Sequence, residues 1–510
     1  MKKKIYIILA LIVATAIFVT GCSSKSDTSS MAQNNIDIVE SASTVTTEAS
    51  TIAVDTEFTA KDLEVGYEET TATRISLNGS NILVSGDGVT VQDTTVKIVK
   101  EGSYVISGTL DNGQILVDAG DSDKLQLILD NAAINCNSSA PIYIKNADKV
   151  FLTLENGTQN TLTDGTEYIQ NDDNTVDGTI YSTSDLTLNG SGMLTINANY
   201  KHGIVSKDDL VITGGTYQIS AVKDALNGKD CVKIRDGEFV LTSVDGNGIQ
   251  SKNGEDTTKG YIYISGGSIS IPDCQEGLEG TAIVIAGGEI DIHAEDDGLN
   301  ASSGSSNSAS SNNQNNGRMD NPFENDTNCY ISISGGTLTV DAQGDGIDSN
   351  GSLYVLGGSV FVSGPTEAMN SSLDYNGDGQ ITGGTVIAVG SLGMAQGFSD
   401  TSTQYSLINN LSASVEANSE VSLKDSDGNI IVSYTPVRQY QSVVISSPEL
   451  KEGETYTLTC GSQTAEVTLS SIVTSNGQQG NKMPGNGRPP MGNMHGGGMR
   501  GGEGPAGPGM

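Results

Sequence analysis

Tyr263-Ile264-Ser265-Gly266-Gly267-Ser268 and, one repeat later, Val284-Ile285-Ala286-Gly287-Gly288-Glu289 decide how the rest of the chain is read. Each is a β-prone run, a Gly-Gly pair and the start of a second run. The unit returns at Val211-Ile212-Thr213-Gly214-Gly215-Thr216, Ile333-Ser334-Gly335-Gly336-Thr337, Val355-Leu356-Gly357-Gly358-Ser359 and Ile381-Thr382-Gly383-Gly384-Thr385. Arg235-Asp236-Gly237-Glu238 is a degenerate copy. A second element follows each unit: a polar residue, then Gly or Ala, then an aliphatic residue or Met. Its copies begin at His202, Asp224, Asn247, Glu276, Asp297, Asp345 and Glu367, in steps of 22, 23, 29, 21, 48 and 22 residues. The long step holds residues 302–328, a Ser/Asn/Gly-rich insertion expected to leave the repeat as a loop. A repeat of about 22 residues with two or three short strands cannot bury its apolar side alone, and stacking gives a continuous core. The asparagine-anchored pattern of leucine-rich repeats is missing, and propeller blades need about 40 residues. The expected fold is all-β, a right-handed parallel β-helix over residues 73–398, with the Gly-Gly pairs supplying positive φ at corners.

Upstream runs such as Leu125-Gln126-Leu127-Ile128-Leu129-Asp130 and Val150-Phe151-Leu152-Thr153-Leu154 read as less regular first turns. After about Gly397 the Gly-Gly pattern stops. Residues 399–472 are expected to form a small C-terminal β cap of antiparallel strands, turning at Asp427-Gly428 and Glu452-Gly453. Residues 473–510, rich in Gly, Met and Pro, read as a disordered tail. Its Met483, Met491, Met494, Met499 and His495 are soft-metal donors, against the plainer reading of a flexible tail.

The N-terminus gives an address. Lys2, Lys3 and Lys4 precede an apolar stretch over residues 5–20, too short for a spanning helix. Val19-Thr20-Gly21-Cys22 resembles a bacterial lipobox. Residues 1–21 are therefore expected to be a lipoprotein signal peptide, with Cys22 the lipidated residue; a plain signal peptide is the alternative. The protein is placed at the cell membrane, on its extracellular face, attached through the lipid alone. Each buried CH₂ of such a lipid contributes about 0.8 kcal/mol. Residues 22–72 are polar and without period, and read as a Ser/Thr-rich tether.

The charge narrows the partners. There are 26 basic against 62 acidic residues and a formal charge of −36. Loss of Lys2, Lys3 and Lys4 with the signal peptide takes it to −39. Such a surface repels nucleic acid and attracts cations, and meets anionic polymers only through a cation bridge. Aromatic content is 5% with no Trp, unusual for an extracellular sugar binder. Tyr261, Tyr263 and Tyr330 are candidates for stacking on sugar rings, or for core and edge positions. Cys136, Cys231, Cys274, Cys329 and Cys460 are odd in number and show no C-x-x-C spacing, so they read as buried free thiols. A monomer is expected.

The polar position of the second element is acidic in Asp224, Glu276, Asp297, Asp345 and Glu367, and Glu279 and Asp348 follow two of these three residues on. Stacking places equivalent side chains about 4.8 Å apart. Two like charges at that spacing cost roughly 3–4 kcal/mol at an effective dielectric of 20. The ladder must fan out, protonate or share cations, and an all-oxygen donor set suits Ca²⁺. The alternative is that Asp-Gly is good turn chemistry at a wet corner. Asp374-Tyr375-Asn376-Gly377-Asp378-Gly379-Gln380-Ile381 matches the front half of a calcium loop through Asp374, Asn376 and Asp378. Thr385 stands where a twelfth-position Glu would close it, so the expectation is a calcium-binding hairpin or a plain turn.

The run from Gly102 to Gln396 resembles a family of cell-surface carbohydrate-binding proteins of cellulose-degrading clostridia. The resemblance is carried by Gly102-Ser103-Tyr104-Val105-Ile106-Ser107-Gly108, Asp148-Lys149-Val150, His202-Gly203-Ile204-Val205-Ser206-Lys207-Asp208-Asp209-Leu210 and Gly393-Met394-Ala395-Gln396. It implies a calcium-binding right-handed β-helix like that of pectate lyases, holding cellulose-like or acidic pectin-like polysaccharides. The leading functional expectation is noncatalytic, calcium-dependent polysaccharide binding at the cell surface. A pectate-lyase-type enzyme is the second reading. It requires a basic residue beside Ca²⁺, for which Arg235, Lys207, Lys223, Lys229 and Lys252 are available. Paired carboxylates for glycosidase chemistry stay open among so many acids. A purely structural adhesin is the third reading.

Overall fold

The computed structural model describes residues 52–303 and 325–477. The signal peptide, Cys22, the tether to residue 51, residues 304–324 of the insertion and the tail from residue 478 lie outside the described residues. Among the described residues there is no helix, and the regular structure is all β.

One rung illustrates the architecture. Cys231–Ile234, Glu238–Ser243 and Ile249–Ser251 are three short strands in succession. Each pairs in parallel with the strand at the same place one rung on: Val232 with Ile262, Phe239 with Ile269, Ile249 with Leu278. Third-position strands, with a starting hairpin, form a 12-stranded sheet, and the first and second positions share a 25-stranded one. The two positions share a sheet because the long strand Lys124–Cys136 pairs with both Lys149–Leu154 and Gln159–Asp164. Alternate side chains point inward, so Val232, Ile234, Phe239, Leu241 and Ile249 of this rung are all buried. The five cysteines among the described residues are buried and free.

The two glycines of each corner have different reasons to be glycine. The second has positive φ, as in Gly288 (95°) and Gly336 (78°), where an L side chain is strained. The first has no such φ. A Cβ on Gly287 would instead run into the carbonyl oxygen of Ser265, one rung back.

The last third-position strand departs from the expected register. Leu373–Tyr375, and not the Glu367-Ala368-Met369-Asn370 stretch, pairs with Ile347–Ser349. Leu373 is buried, whereas Met369 is 68% exposed. The chain leaves the stack after Ser363 and re-enters it just before Leu373, so Ser371 takes the place in the ladder assigned to Glu367.

Residues 52–66, read from the sequence as the end of the tether, form an ordered strap across the outer face of the first-position strands. Ile52, with Val54 and Phe58, packs on Tyr261, Tyr263, Ala282 and Tyr330. A few isolated apolar residues suffice to seat it, which is why no period announced it. The strap's footprint shows in burial. Cys231–Ile234 and Tyr261–Ile264 are buried on both faces, while Tyr330–Ile333 and Ser352–Val355 alternate.

Thr385–Gly390 ends the parallel stack and pairs antiparallel with Tyr440–Ser446, which pairs antiparallel with Ser406–Val415. A four-stranded antiparallel sheet holds Val421–Lys424, Ile430–Tyr434, Thr455–Cys460 and Gln463–Thr468. Val473–Gly477, assigned from the sequence to the tail, is a strand pairing in parallel with Ser406–Val415.

Candidate cation site

The third-position strands are short, Leu278–Gly280 and Ile347–Ser349 being typical, with buried first and third residues. Their middle residue therefore points outward. Down the stack these middle residues form a column of Asn227, Gln250, Glu279, Asn300, Asp348 and Asp374. A second column lies at the preceding corner: His202, Asp224, Asn247, Glu276, Asp297, Asp345 and Ser371. It is linked by backbone bonds from Gly203 to Asp224, Gly277 to Asp297, Gly298 to Asp345 and their equivalents.

The upper half of these columns supplies its own counter-charges and donors. Asp224 lies 3.1 Å from His202 Nδ1, and its oxygens accept from the Asn227 amide (2.7 Å) and the Asn247 backbone N–H (3.0 Å). His202 beside it holds its carboxyl below the usual range against the opposing effect of burial. Glu279 accepts from Asn247 and Gln250, each at 2.5 Å, and forms an ion pair with Lys252. Lys252 also donates to Ser302 at 2.9 Å.

Below Lys252 this compensation stops. Carboxylate oxygens of Asp297, Asp345 and Asp348 lie within 4.8 Å of one another. Glu276 and Asp374 flank them. Burial first, and the neighbouring carboxylates next, push Glu276 up to about 8 and Asp348 to about 8, and burial and neighbours take Asp297 to about 7 against the Asp345 N–H bonded to it. Asp345 reaches about 7 for the same two reasons, although the Ser371 N–H bonded to it pulls the other way. Burial raises Asp374 too. Asn300 donates to Glu276 Oε1 at 3.2 Å. That leaves Glu276 Oε2 and Asn300 Oδ1 buried and without a hydrogen-bond partner. Crowded carboxylates with orphaned oxygen acceptors beside them fit a hard cation such as Ca²⁺, which takes 6–8 oxygens at 2.3–2.6 Å.

The structure thus brings Glu276, Asp297, Asp345, Asp348 and Asp374 together and places Asp224 and Glu279 in neutralised surroundings. Glu367 is outside the column. The calcium-loop candidate divides: Asp374 stands in register with Asp348, whereas Asp378 accepts the Thr401 hydroxyl at 2.8 and 2.9 Å. Asn376 lies near Asn350, its amide donating at 3.4 Å. Of the basic residues considered for lyase chemistry, Lys252 reaches the acidic columns. Lys207 faces Asp177 at 3.7 Å, Lys223 donates to the Asp245 carbonyl at 2.9 Å, Lys229 pairs with Glu255 at 2.5 Å, and Arg235 is exposed.

Sequence reading missed a second acidic group, Asp185, Asp208 and Asp209, whose carboxylate oxygens also lie within 4.8 Å of one another. Burial, then Asp185 and Asp230, push Asp208 up to about 6. The signal was present, since Asp185 and Asp209 open the first strands of successive rungs and Asp208 and Asp230 immediately precede such strands, at nearly the same period.

A family model described as carbohydrate-binding domain-containing protein matches residues 92–368. A carbohydrate-binding domain-containing protein of Acetivibrio thermocellus is 34% identical over 197 residues, 38% of this chain and 67% of that protein. Among solved structures, the polysaccharide lyase-like protein from C. thermocellum, as a gadolinium derivative, is 37% identical with a TM-score of 0.42. That match covers 43% of this chain and 90% of the other. The stacked rungs, with their acidic columns, lie largely within the matched residues, and the chain belongs to the family of carbohydrate-binding domain-containing proteins.

Proposed function

We propose that this chain is a noncatalytic, calcium-dependent polysaccharide-binding lipoprotein of the cell surface, anchored through Cys22. The observation that carries the reading is the Asp297, Asp345 and Asp348 group with the orphaned oxygens of Glu276 and Asn300 beside it, in a chain of a carbohydrate-binding family. The scaffold is read as a right-handed parallel β-helix, because parallel β-crossovers take that hand almost without exception. Ca²⁺ among these carboxylates turns an otherwise repulsive surface into one that accepts hydroxyl and carboxylate oxygens of a glycan. Asp297, Asp345 and Asp348 would hold the ion, with Glu276, Asn300 and Asp374 in reach as further oxygen donors. Asp224, Glu279, Asn376 and Asp378 have other partners and are assigned structural roles; Glu367 is left out.

The noncatalytic assignment follows from Lys252. A lyase base needs a free lone pair aimed at the substrate, and Lys252 Nζ is instead turned onto Glu279 and Ser302 within the column. The test is affinity electrophoresis on polygalacturonate and pull-down on cellulose, in calcium and in chelator, with absorbance of unsaturated uronate followed in parallel. Retardation only in calcium, without new absorbance, supports the reading. Retardation unaffected by chelator, or steady product formation, overturns it.

A further inference from the structure

The strap fills a groove whose floor presents lysines, amide and hydroxyl donors and aromatic rings, with Asp185 and Asp209 standing between Lys149 and Cys231 in its outer row. Asp62, 3% exposed, rests on Lys149 Nζ at 2.8 Å and accepts the Thr187 hydroxyl at 2.7 Å. Asp55 rests on Lys233 Nζ at 2.7 Å, and Lys233 is itself 4% exposed. Asn189 donates to the carbonyls of Asp62 and Glu64 at 3.1 and 3.0 Å. Phe58 packs on Tyr263, with ring centroids 6.1 Å apart. The strap holds this place without any ladder of backbone bonds, since the first strand begins at Thr73. It can therefore leave without unpairing a sheet.

We propose that this face is a latent second binding groove for an acidic glycan, and that residues 52–66 are its tethered competitor. The inference rests on the polysaccharide-binding reading above and extends it to a face that needs no metal ion. Charge complementarity names the occupant. On a chain of net charge −36, Lys233, which is buried, and Lys149, which is partly buried, are directed at two carboxylates carried by one extended segment. A uronate polymer presents carboxylates along an extended chain in the same manner. Its hydroxyls match the Asn189 and Thr187 side chains, and its ring faces match Tyr263.

The experiment combines Asp55→Asn, Phe58→Ala and Asp62→Asn in the full chain. Oligogalacturonate binding is measured by calorimetry in excess chelator, and trypsin cleavage after Lys61 reports release of the strap. The expected result is cleavage at least tenfold faster and binding at least tenfold tighter than in the unaltered chain. Adding Lys149→Ala and Lys233→Ala should remove the gain, and a neutral cello-oligosaccharide should show none. Release without a gain, or a gain that survives loss of both lysines, overturns the proposal. So does a strap that stays protected in the triple variant, or loss of cooperative unfolding, because the segment is then a fixed part of the core. Chelator silences the calcium site throughout, so failure of the calcium-dependent reading would leave the gain in place.

Discussion

Asp297 Oδ1 accepts the backbone N–H of Asp345, one rung further on, at 2.6 Å. The Asp345 carboxylate in turn accepts the N–H of Ser371. Each acid is thereby fixed by the chain beneath it, and the carboxylates cannot fan apart to relieve their repulsion. That constraint governs how the protein should respond to cations and to pH.

Calcium should raise the melting temperature, and a chelator should lower it. An ion bound only by the folded form stabilises it by about 2.7 kcal/mol at a hundredfold excess over Kd. Sodium at matched ionic strength should do less, because screening is not coordination. Asp345→Asn with Asp348→Asn should abolish most of the calcium increment in differential scanning calorimetry.

Without calcium, stability should fall as pH rises from about 4 to about 8. Glu276, Asp297, Asp345 and Asp348 are raised in the folded protein to about 8, 7, 7 and 8, above the ordinary carboxylate range near 4. A raised carboxylate favours the protonated folded form, so its contribution is complete below the unfolded value and lost through the folded one. Melting curves in chelator from pH 4.5 to 8.5 should show this decline, and calcium should flatten its upper part.

Glu276→Gln and Glu279→Gln should act in opposite directions on the calcium-free protein. The first relieves crowding and should stabilise it above about pH 8, where Glu276 is ionised, while weakening calcium binding. The second leaves Lys252 with one partner fewer and should destabilise it by about 1–3 kcal/mol. Glu367→Gln, away from the columns, should change neither quantity in calorimetric titration.

The register of the last rung can be tested by truncation. Leu373→Ala removes a buried side chain and should cost about 2–5 kcal/mol in denaturant unfolding. Met369→Ala, at an exposed position, should stay within about 0.5 kcal/mol. Equal effects would restore the register expected from the sequence.

Cys22→Ala should move the protein from the membrane fraction to the medium or the soluble fraction, because the proposed lipid is its sole attachment. Unchanged fractionation in detergent-free buffer would remove the lipobox reading.

Much of this was legible because stacking repeats itself in the sequence. The Gly-Gly corners and the Asp-Gly-Leu-type marks carry the period, and the period alone sets Asp297 next to Asp345 in the stack. Glu367-Ala368-Met369-Asn370 misled because it copies the mark that Ser371-Ser372-Leu373-Asp374 lacks. Strand pairing, together with burial of Leu373 against exposure of Met369, tells them apart. Glu279 and Asp348 share a column and look alike in the sequence. Their difference comes from Lys252, whose reach across a rung is a matter of register. The strap was invisible because its apolar residues are few and obey no period.

The strap also sets how the protein meets mechanical load. Tyr330 donates to the Ile52 carbonyl at 3.0 Å, and from there the strap runs back past Lys233 and Lys149 toward the first rungs. Tension on the chain ahead of Ile52 therefore enters partway down the stack. Taken in order along the chain, the Tyr330 contact should yield first, the Lys233 pair next and the Asp62 cluster last. A pull on the N-terminal segment should then be met by a graded extension of the strap before the first strand, which begins at Thr73, is reached.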